Sequence, residues 1–445
     1  MPTAIEVYKL LPKTNCGKCG FPTCLAFAMQ IAAGKKSIED CPDVDPKAKE
    51  TLAEAAAPPI PLIKVGGENP LEIGDETVIF RHEKSFFHPT AIALLVDASA
   101  PKGEIERRAK EFDEMVFERV GQTLMMDAIA IKGDDPSKFN EAVDAVKGNS
   151  NRPLILMGKS SVISDAAKKL ADEKPLLHCQ DPSDFEGMVA LAKETGSPLA
   201  VKTQANTAGE ALKELSSMSQ AAKDNGVKDV VLDLGNLKMN EMLQALVAIR
   251  RLAIKRKFRL LGQPVMFSLE GMDSRDALLA SLGILKYASI VVVPEADRSY
   301  IYPLLSLRQN IFTDPRIPLQ VEEGVYEIGT PNENSPVLLT CNFSLTYFNV
   351  AGDTEGSKVP SYIIVTFTEG LSVMTAFAAG KLTPESVKKT LDEVKIQDKV
   401  NHKRIIIPGM IARMSGKLEE LTDLDIMVGP RESSGIPKFL KDKWS

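Results

Sequence analysis

No apolar run in this chain reaches the roughly 20 residues needed to cross a bilayer. The N-terminus lacks the charged-then-apolar pattern of a signal segment, so the protein is expected to be cytoplasmic. Positive charge is not in excess. The formal net charge is -6 and there is no basic stripe, which argues against a nucleic-acid binder. Neither a Walker-type phosphate loop nor a G-x-G-x-x-G run occurs. Histidine is scarce, with only His82, His88, His178 and His402, and there are six cysteines. At 44% hydrophobic and 26% charged residues the composition is that of an ordinary soluble protein. A chain of 445 residues is too long for one core, and two to four domains are expected.

The cysteines present are concentrated near the start. They read Cys16-Gly-Lys-Cys19-Gly-Phe-Pro-Thr-Cys24, then sixteen residues, then Cys41-Pro42. Thiolates are soft ligands suited to iron–sulfur cubes and to zinc. Gly17 and Gly20 let the backbone pass close to inorganic sulfide, and a proline after the last ligand is a ferredoxin feature, so the spacing favours a [4Fe-4S] cluster. Structural zinc and a disulfide framework are the weaker alternatives, since the second close pair of a usual zinc site is missing. Cys179 and Cys341 lie beside apolar runs and read as reduced core thiols.

Residues 1–57 form a small cluster segment, with a helix expected over Thr23 to Gly34. Its Leu25, Phe27, Ala28, Met29 and Ile31 would cover the cluster. So small a segment is expected to draw much of its folding free energy from the bound group. Three prolines within Pro58-Pro-Ile-Pro61 open a lead-in over residues 58–91. They mark either a domain boundary or a stiff tether that lets the cluster swing.

Residues 92–325 alternate short Val/Ile/Leu runs with charged helical stretches. Eight runs start at Ile92, Ala128, Leu154, Leu176, Leu199, Val230, Pro264 and Ile290. Their lack of polar alternation fits strands buried on both faces, and eight βα units predict a (β/α)8 barrel ahead of an open sheet. Asp97, His178, Asp233, Asn236 and Glu270 fall at its C-terminal strand ends. They serve either as caps and loop anchors or as grips for a pterin.

Residues 326–445 predict a small α/β domain with parallel strands Val337–Cys341, Tyr362–Phe367, Arg404–Ile407 and Asp425–Val428. The strand ends run into small and polar residues, among them Thr340, Thr346, Thr368-Glu-Gly370-Leu371-Ser372-Val373-Met-Thr375, Pro408-Gly409 and Ser433. Open α/β sheets bind ligands outside such ends. Gly370 permits close backbone approach, Ser372 is placed to cap the next helix, and Ala376, Ala378 and Ala379 leave that helix flat enough for a planar ligand.

Three stretches carry a family resemblance: NCGKCGFPTCLAFAMQIAAGKKSIEDCP at 15–42, TEGLSVMTAFAAGKL at 368–382 and VGPRESSGIP at 428–437. The whole chain resembles the large subunit of corrinoid iron–sulfur proteins of the acetyl-CoA (Wood–Ljungdahl) pathway. The resemblance implies a cluster domain, a central TIM barrel serving as scaffold and dimer interface, and a C-terminal Rossmann/flavodoxin-like corrinoid-binding domain. Cys16, Cys19, Cys24 and Cys41 would ligate the cluster. A cobamide would meet Thr340, Thr346, Gly370, Leu371, Ser372, Val373, Thr375, Gly409 and Ser433. Cob(I)amide would take the methyl group of methyltetrahydrofolate from a methyltransferase and deliver it as methyl-Co(III) to CO dehydrogenase/acetyl-CoA synthase. The cluster would return inactive Co(II) to Co(I). The resemblance thus implies a methyl-transfer component of a multi-enzyme system and not a stand-alone enzyme. A smaller barrel-like subunit and a reductive activator complete its implied partners.

Many corrinoid domains place a histidine on cobalt through Asp-x-His-x-x-Gly. No histidine here lies in that motif, so the cobamide is expected base-off without a protein ligand. The stretch Glu322–Glu333, with two glycines and a proline, is the expected hinge for a mobile C-terminal domain. Two other functions compete with the methyl carrier. One is an electron-transfer subunit with a cluster and no corrinoid. The other is a methyltransferase whose barrel grips the pterin through Asp233 or Asn236.

Overall fold

The computed structural model describes residues 4–33, 35–46, 48–49, 58–80, 83, 86–120, 122–269, 271, 273–313 and 318–444. The chain divides into two compact units. One comprises Met1–Ile79, Phe87–Ala109 and Asp127–Glu295; the other comprises Phe80–Phe86, Lys110–Met126 and Ala296–Ser445.

In the first unit eight parallel strands close a barrel in sequential order. They are Ala91–Asp97, Ala128–Lys132, Leu154–Met157, Leu176–Cys179, Leu199–Lys202, Val230–Asp233, Val265–Ser268 and Ile290–Val293. Each predicted run is a strand. Most of their positions are buried, as unbroken apolar patterning requires. The interior is narrow: Ala91, Ala93, Ala128, Ala130 and Ala200 point into one core with Ile155, Val231, Met266 and Val292. Sequence reading missed what completes this core. An antiparallel hairpin, Ile63–Val65 with Leu71–Ile73, inserts Ile63, Val65 and Ile73 among the barrel residues. Short strands of three residues carry too little periodicity to be read alone.

The proline-rich lead-in is seated on this unit. The Pro58 carbonyl accepts from Arg259 Nη1 at 2.6 Å, and Ile60 bridges Glu76. From Pro58 onward the stretch is therefore anchored and does not act as the proposed tether; Ala55, Ala56 and Ala57 lie outside the described residues. Arg250 fixes the same lead-in, donating to Val78 O at 2.9 Å and to Glu76 Oε2 at 2.5 Å. Burial raises the Glu76 carboxyl, and the Arg250 charge opposes that shift. Breaking a buried pair leaves an uncompensated charge, so Arg250→Ala is expected to cost about 3–5 kcal/mol. Urea denaturation measures this, and a loss under about 1 kcal/mol would mean the pair acts as a surface salt bridge.

In the second unit the C-terminal sheet has five strands in the order Gly324–Ile328, Ser361–Thr366, Val337–Cys341, Arg404–Ile407, Asp425–Val428. The four predicted parallel strands are present. The fifth, Gly324–Ile328, pairs antiparallel with Ser361–Val365 over five residues. It occupies the stretch expected to be a hinge, and this corrects that expectation. Tyr326 and Ile328 pack on one face of the sheet and Val325 on the other, so the segment is held by side chains and by its ladder. Successive residues of Val337–Cys341 serve opposite cores. Val337, Leu339 and Cys341 join one layer, and Leu338 joins the other with Tyr347, Ile436 and Leu440.

Candidate functional site

Two places bring the chemistry-bearing residues together. The first is the cysteine loop. Thr23 caps the helix Cys24–Ala32 through its hydroxyl, which accepts from Ala26 N at 3.1 Å. Asn15 Oδ1 accepts from Cys24 N at 2.8 Å and so ties the loop's start to its third cysteine. Gly17 and Gly20 adopt φ of +73° and +85°, where a side chain would be strained. Cys24 and Cys41 are buried in one apolar core with Val7, Phe27, Ala28 and Ile38; Cys19 is packed against it and Cys16 is exposed. Of the residues expected to cover the cluster, Phe27 and Ala28 are buried and Ile31 packs against them. Leu25 and Met29 instead face outward, on the far side of the helix.

Cys16 Sγ lies 3.6 Å from Asp43 Oδ2, just beyond Cys41 and Pro42, which brings the ends of the motif together. Lys18 Nζ donates to the same carboxylate at 2.9 Å. That hydrogen bond holds the Asp43 carboxyl below its usual range and the Lys18 ammonium above its own. Among the described residues no three His, Cys, Asp or Glu side chains close on one point as ligands of a single metal ion do. All six cysteines are free. Four soft sulfurs around a glycine-relaxed loop, two of them shielded by apolar side chains, suit a multi-iron group.

The second place is a cavity of about 370 Å³ in the C-terminal unit. It opens at the ends of Val337–Cys341 and Arg404–Ile407. These adjacent strands are where the parallel order reverses, the position at which open α/β sheets bind ligands. Of the residues singled out from sequence, Thr340, Thr346, Ser372, Val373 and Ser433 line it. The Thr340 hydroxyl is buried there without a hydrogen-bond partner, an acceptor and donor left for a ligand. Gly370, Leu371 and Gly409 stand behind the wall, and Thr375 is exposed outside it. A Cβ at Gly370 would fall 2.7 Å from Gln320 Cγ, and the residue has φ +71°. Leu371 packs into the core, and Gly409 N donates to Pro430 O at 3.0 Å. Ser372 occupies the N-cap position of the helix Val373–Ala378, but its hydroxyl makes no cap bond. It meets Thr375 Oγ1 at 3.0 Å instead. Met374, Met410 and Arg431, within the strand-end stretches though not singled out as contacts, also line the cavity. Sequence reading missed Asn349 and Phe439, which lie on helices away from those stretches.

Asp233, His178 and Asp97 at the barrel's strand ends are tied up in local hydrogen bonds. Asp233 is buried, with Oδ1 accepting from Gly235 N at 2.8 Å and Oδ2 at 2.5 Å from the buried His178 Nε2. Asp97 Oδ1 accepts from Ser99 N at 2.7 Å. Asn236 is exposed, and Glu270 lies outside the described residues. A carboxylate so enclosed has no face left for a pterin, which removes the main support for a pterin-gripping barrel. Burial pushes the Cys179 thiol up to about 12, so it is no thiolate nucleophile in place, and Cys341 is fully buried. No helix among the described residues is long and apolar enough to cross a membrane.

Two family models match the chain. Residues 11–42 match an Fe-S cluster family, and residues 62–440 match the family described as CO dehydrogenase/acetyl-CoA synthase delta subunit. The corrinoid/iron-sulfur protein large subunit of Moorella thermoacetica is 44% identical over 444 residues, covering 99% of this chain and 98% of that one. The acetyl-CoA decarbonylase/synthase complex subunit gamma of Methanothermobacter thermautotrophicus is 36% identical, covering 98% of each. Among solved structures, dihydropteroate synthase of Thermus thermophilus is matched over 53% of this chain and all of its own length. That match has 20% identity and a TM-score of 0.38, a likeness too distant to bear on function. Full-length identity of this order, with the cysteine loop and the barrel both in place, makes the chain a member of the corrinoid/iron-sulfur protein large-subunit family.

Proposed function

We propose that the chain is the methyl-carrying subunit of an acetyl-CoA-forming system, with a [4Fe-4S] cluster on Cys16, Cys19, Cys24 and Cys41 and a cobamide at the C-terminal cavity. Residues 1–57 would serve as the cluster domain, 92–325 as scaffold and 326–445 as the cobamide domain. The observation that carries this reading is the switch-point cavity, with the unpartnered Thr340 hydroxyl in its wall, on the same chain as the cysteine loop.

When bound, the cobamide supplies a cobalt nucleophile that moves a methyl group between partners, and the cluster supplies low-potential electrons to keep it active. The chain's own residues do the holding. Thr340, Thr346, Ser372 and Ser433 would offer hydroxyls to a bound cobamide, and Val373, Met374 and Met410 would give it apolar contact. The cavity is too small to enclose a corrin. A small subunit would cover the other face, and a methyltetrahydrofolate methyltransferase, acetyl-CoA synthase and a reductive activator would meet the cobamide in turn. The only histidine of the C-terminal domain, His402, supports a base-off cobalt. Its Nε2 lies 2.8 Å from Ser335 O, its Nδ1 accepts from Arg404 N, and its ring stacks edge-on against Trp444. Such chemistry belongs in the cytoplasm.

The test is metal analysis and the visible spectrum of protein purified without oxygen together with its small subunit. About four irons per cobalt, with corrinoid bands that shift on reduction and methylation, are expected. Iron and sulfide without cobalt, even after reconstitution with a cobamide, would leave an electron-transfer subunit.

A further inference from the structure

The Thr368–Val373 loop forms part of the cavity wall, yet its conformation is unfavourable by itself. Glu369 and Gly370 are consecutive left-handed residues, with φ of +59° and +71°. Left-handed backbone is disfavoured for a glutamate and needs support from outside the loop. One buried side chain supplies it. Asn342 Oδ1 accepts from Thr368 N at 2.9 Å and from Gly370 N at 3.0 Å. The Thr368 hydroxyl is 2.8 Å from the same oxygen and 3.0 Å from Leu371 O, and its single hydrogen serves one of the two at a time. From its other end Asn342 Nδ2 donates to Gln320 Oε1 at 3.0 Å, and its backbone carbonyl accepts from Val321 N at 3.0 Å. Gln320 in turn sits against Gly370, where any Cβ would strike it.

We propose that Asn342 is the positioning residue of the cofactor cavity: without touching the cobamide, it clamps the 368–373 loop to the lead-in segment 318–321 and so sets where Ser372 and Val373 meet the macrocycle. The role rests on the reading that the cavity holds the cobamide. An amide is the side chain the position calls for. Its oxygen accepts from the loop and its nitrogen donates to Gln320, and an aliphatic group of the same size can do neither. Asn342 is 1% exposed, so it has no solvent to replace a missing partner. Its neighbours in the fold are strand end and loop, and no ligand-binding motif in the sequence marks it. The contact set alone assigns the role.

The experiment uses the full-length protein with its small subunit, prepared without oxygen, as wild type, N342L and N342D. Cobalt bound at graded cobamide concentrations, iron content and the EPR spectrum of the Co(II) form are measured. N342L is expected to weaken cobamide binding about 10–100-fold, as loss of a supporting partner does, and to broaden the Co(II) signal at unchanged iron. N342D keeps the acceptor for both loop amides, and Gln320 can turn its own amide toward the new carboxylate, so binding returns toward wild type. N342L binding like wild type, or N342D binding as weakly as N342L, overturns the role. If N342L fails to fold, amide exchange of the 367–373 peptide in cobamide-free wild type decides: slow exchange at Thr368 and Gly370 supports the clamp, and fast exchange overturns it. A wild type that takes up no cobamide is a different failure, that of the cavity reading itself.

Discussion

Cys24→Ala is expected to take the iron content from about four per chain to near zero and to leave residues 1–49 open to proteolysis. Cys24 is buried at the start of the helix Cys24–Ala32 and shares its core with Cys41, Phe27 and Ala28. Removing one thiolate therefore strips both a ligand and the group that shields the others. So small a core, built around Val7, Phe27, Ile38 and Val44, buries too little apolar surface to hold itself together once the cluster is gone. The functional result separates the two cofactors. Protein reduced chemically to Co(I) should still accept a methyl group, whereas reactivation of the Co(II) form by a physiological electron donor should stop. Iron analysis, limited proteolysis and donor-driven reduction read the three effects. Full reactivation in the iron-free variant would mean that electrons reach cobalt without the cluster.

Thr346→Trp should give the opposite pattern, with iron kept and cobalt lost. Thr346 lies in the first turn of the helix Ser344–Ser357, half-buried and facing the cavity. A helix tolerates tryptophan at a cost of well under about 1 kcal/mol, so the fold should survive. The indole would occupy much of a space of about 370 Å³. Overpacking a close-fitting site costs about 1–3 kcal/mol, which corresponds to a fall in cobamide binding of about tenfold or more. Cobalt per four irons after reconstitution is the measurement, with the melting temperature as control. Undiminished cobalt in a folded variant would place the cofactor elsewhere in the domain.

The two variants divide the molecule as its chemistry does. One ligand set is a short loop whose residues are close in sequence. The other proposed set is assembled from the ends of four strands and the segments that follow them, spread over about 100 residues from Thr340 to Phe439.

That difference explains what could be read without coordinates. The cysteine motif was legible because cysteine is rare enough in this chain for its spacing to stand out, and residues 11–42 match an Fe-S cluster family. The barrel was legible because strands buried on both faces must be continuous apolar runs, and eight such runs at βα spacing leave few folds. Thr340, Ser372 and Ser433 could be placed near strand ends by the same logic. Tertiary structure alone decided which neighbours face the cavity. Gly370, Leu371 and Gly409 lie within a few residues of lining positions, yet they stand behind the wall, and Thr375 is exposed outside it. It also decided the fate of segments whose composition suggests mobility. Glu322–Glu333 contains a paired strand, and Pro58–Pro61 is anchored by Arg259 and Glu76, because the groups that hold them come from distant parts of the chain. Asn342 is the clearest case. Sequence determines that an amide follows a buried strand. Only the fold brings Thr368, Gly370 and Gln320 to its two ends, because hydrogen-bond partnership depends on distance in space and leaves no periodic trace along the chain.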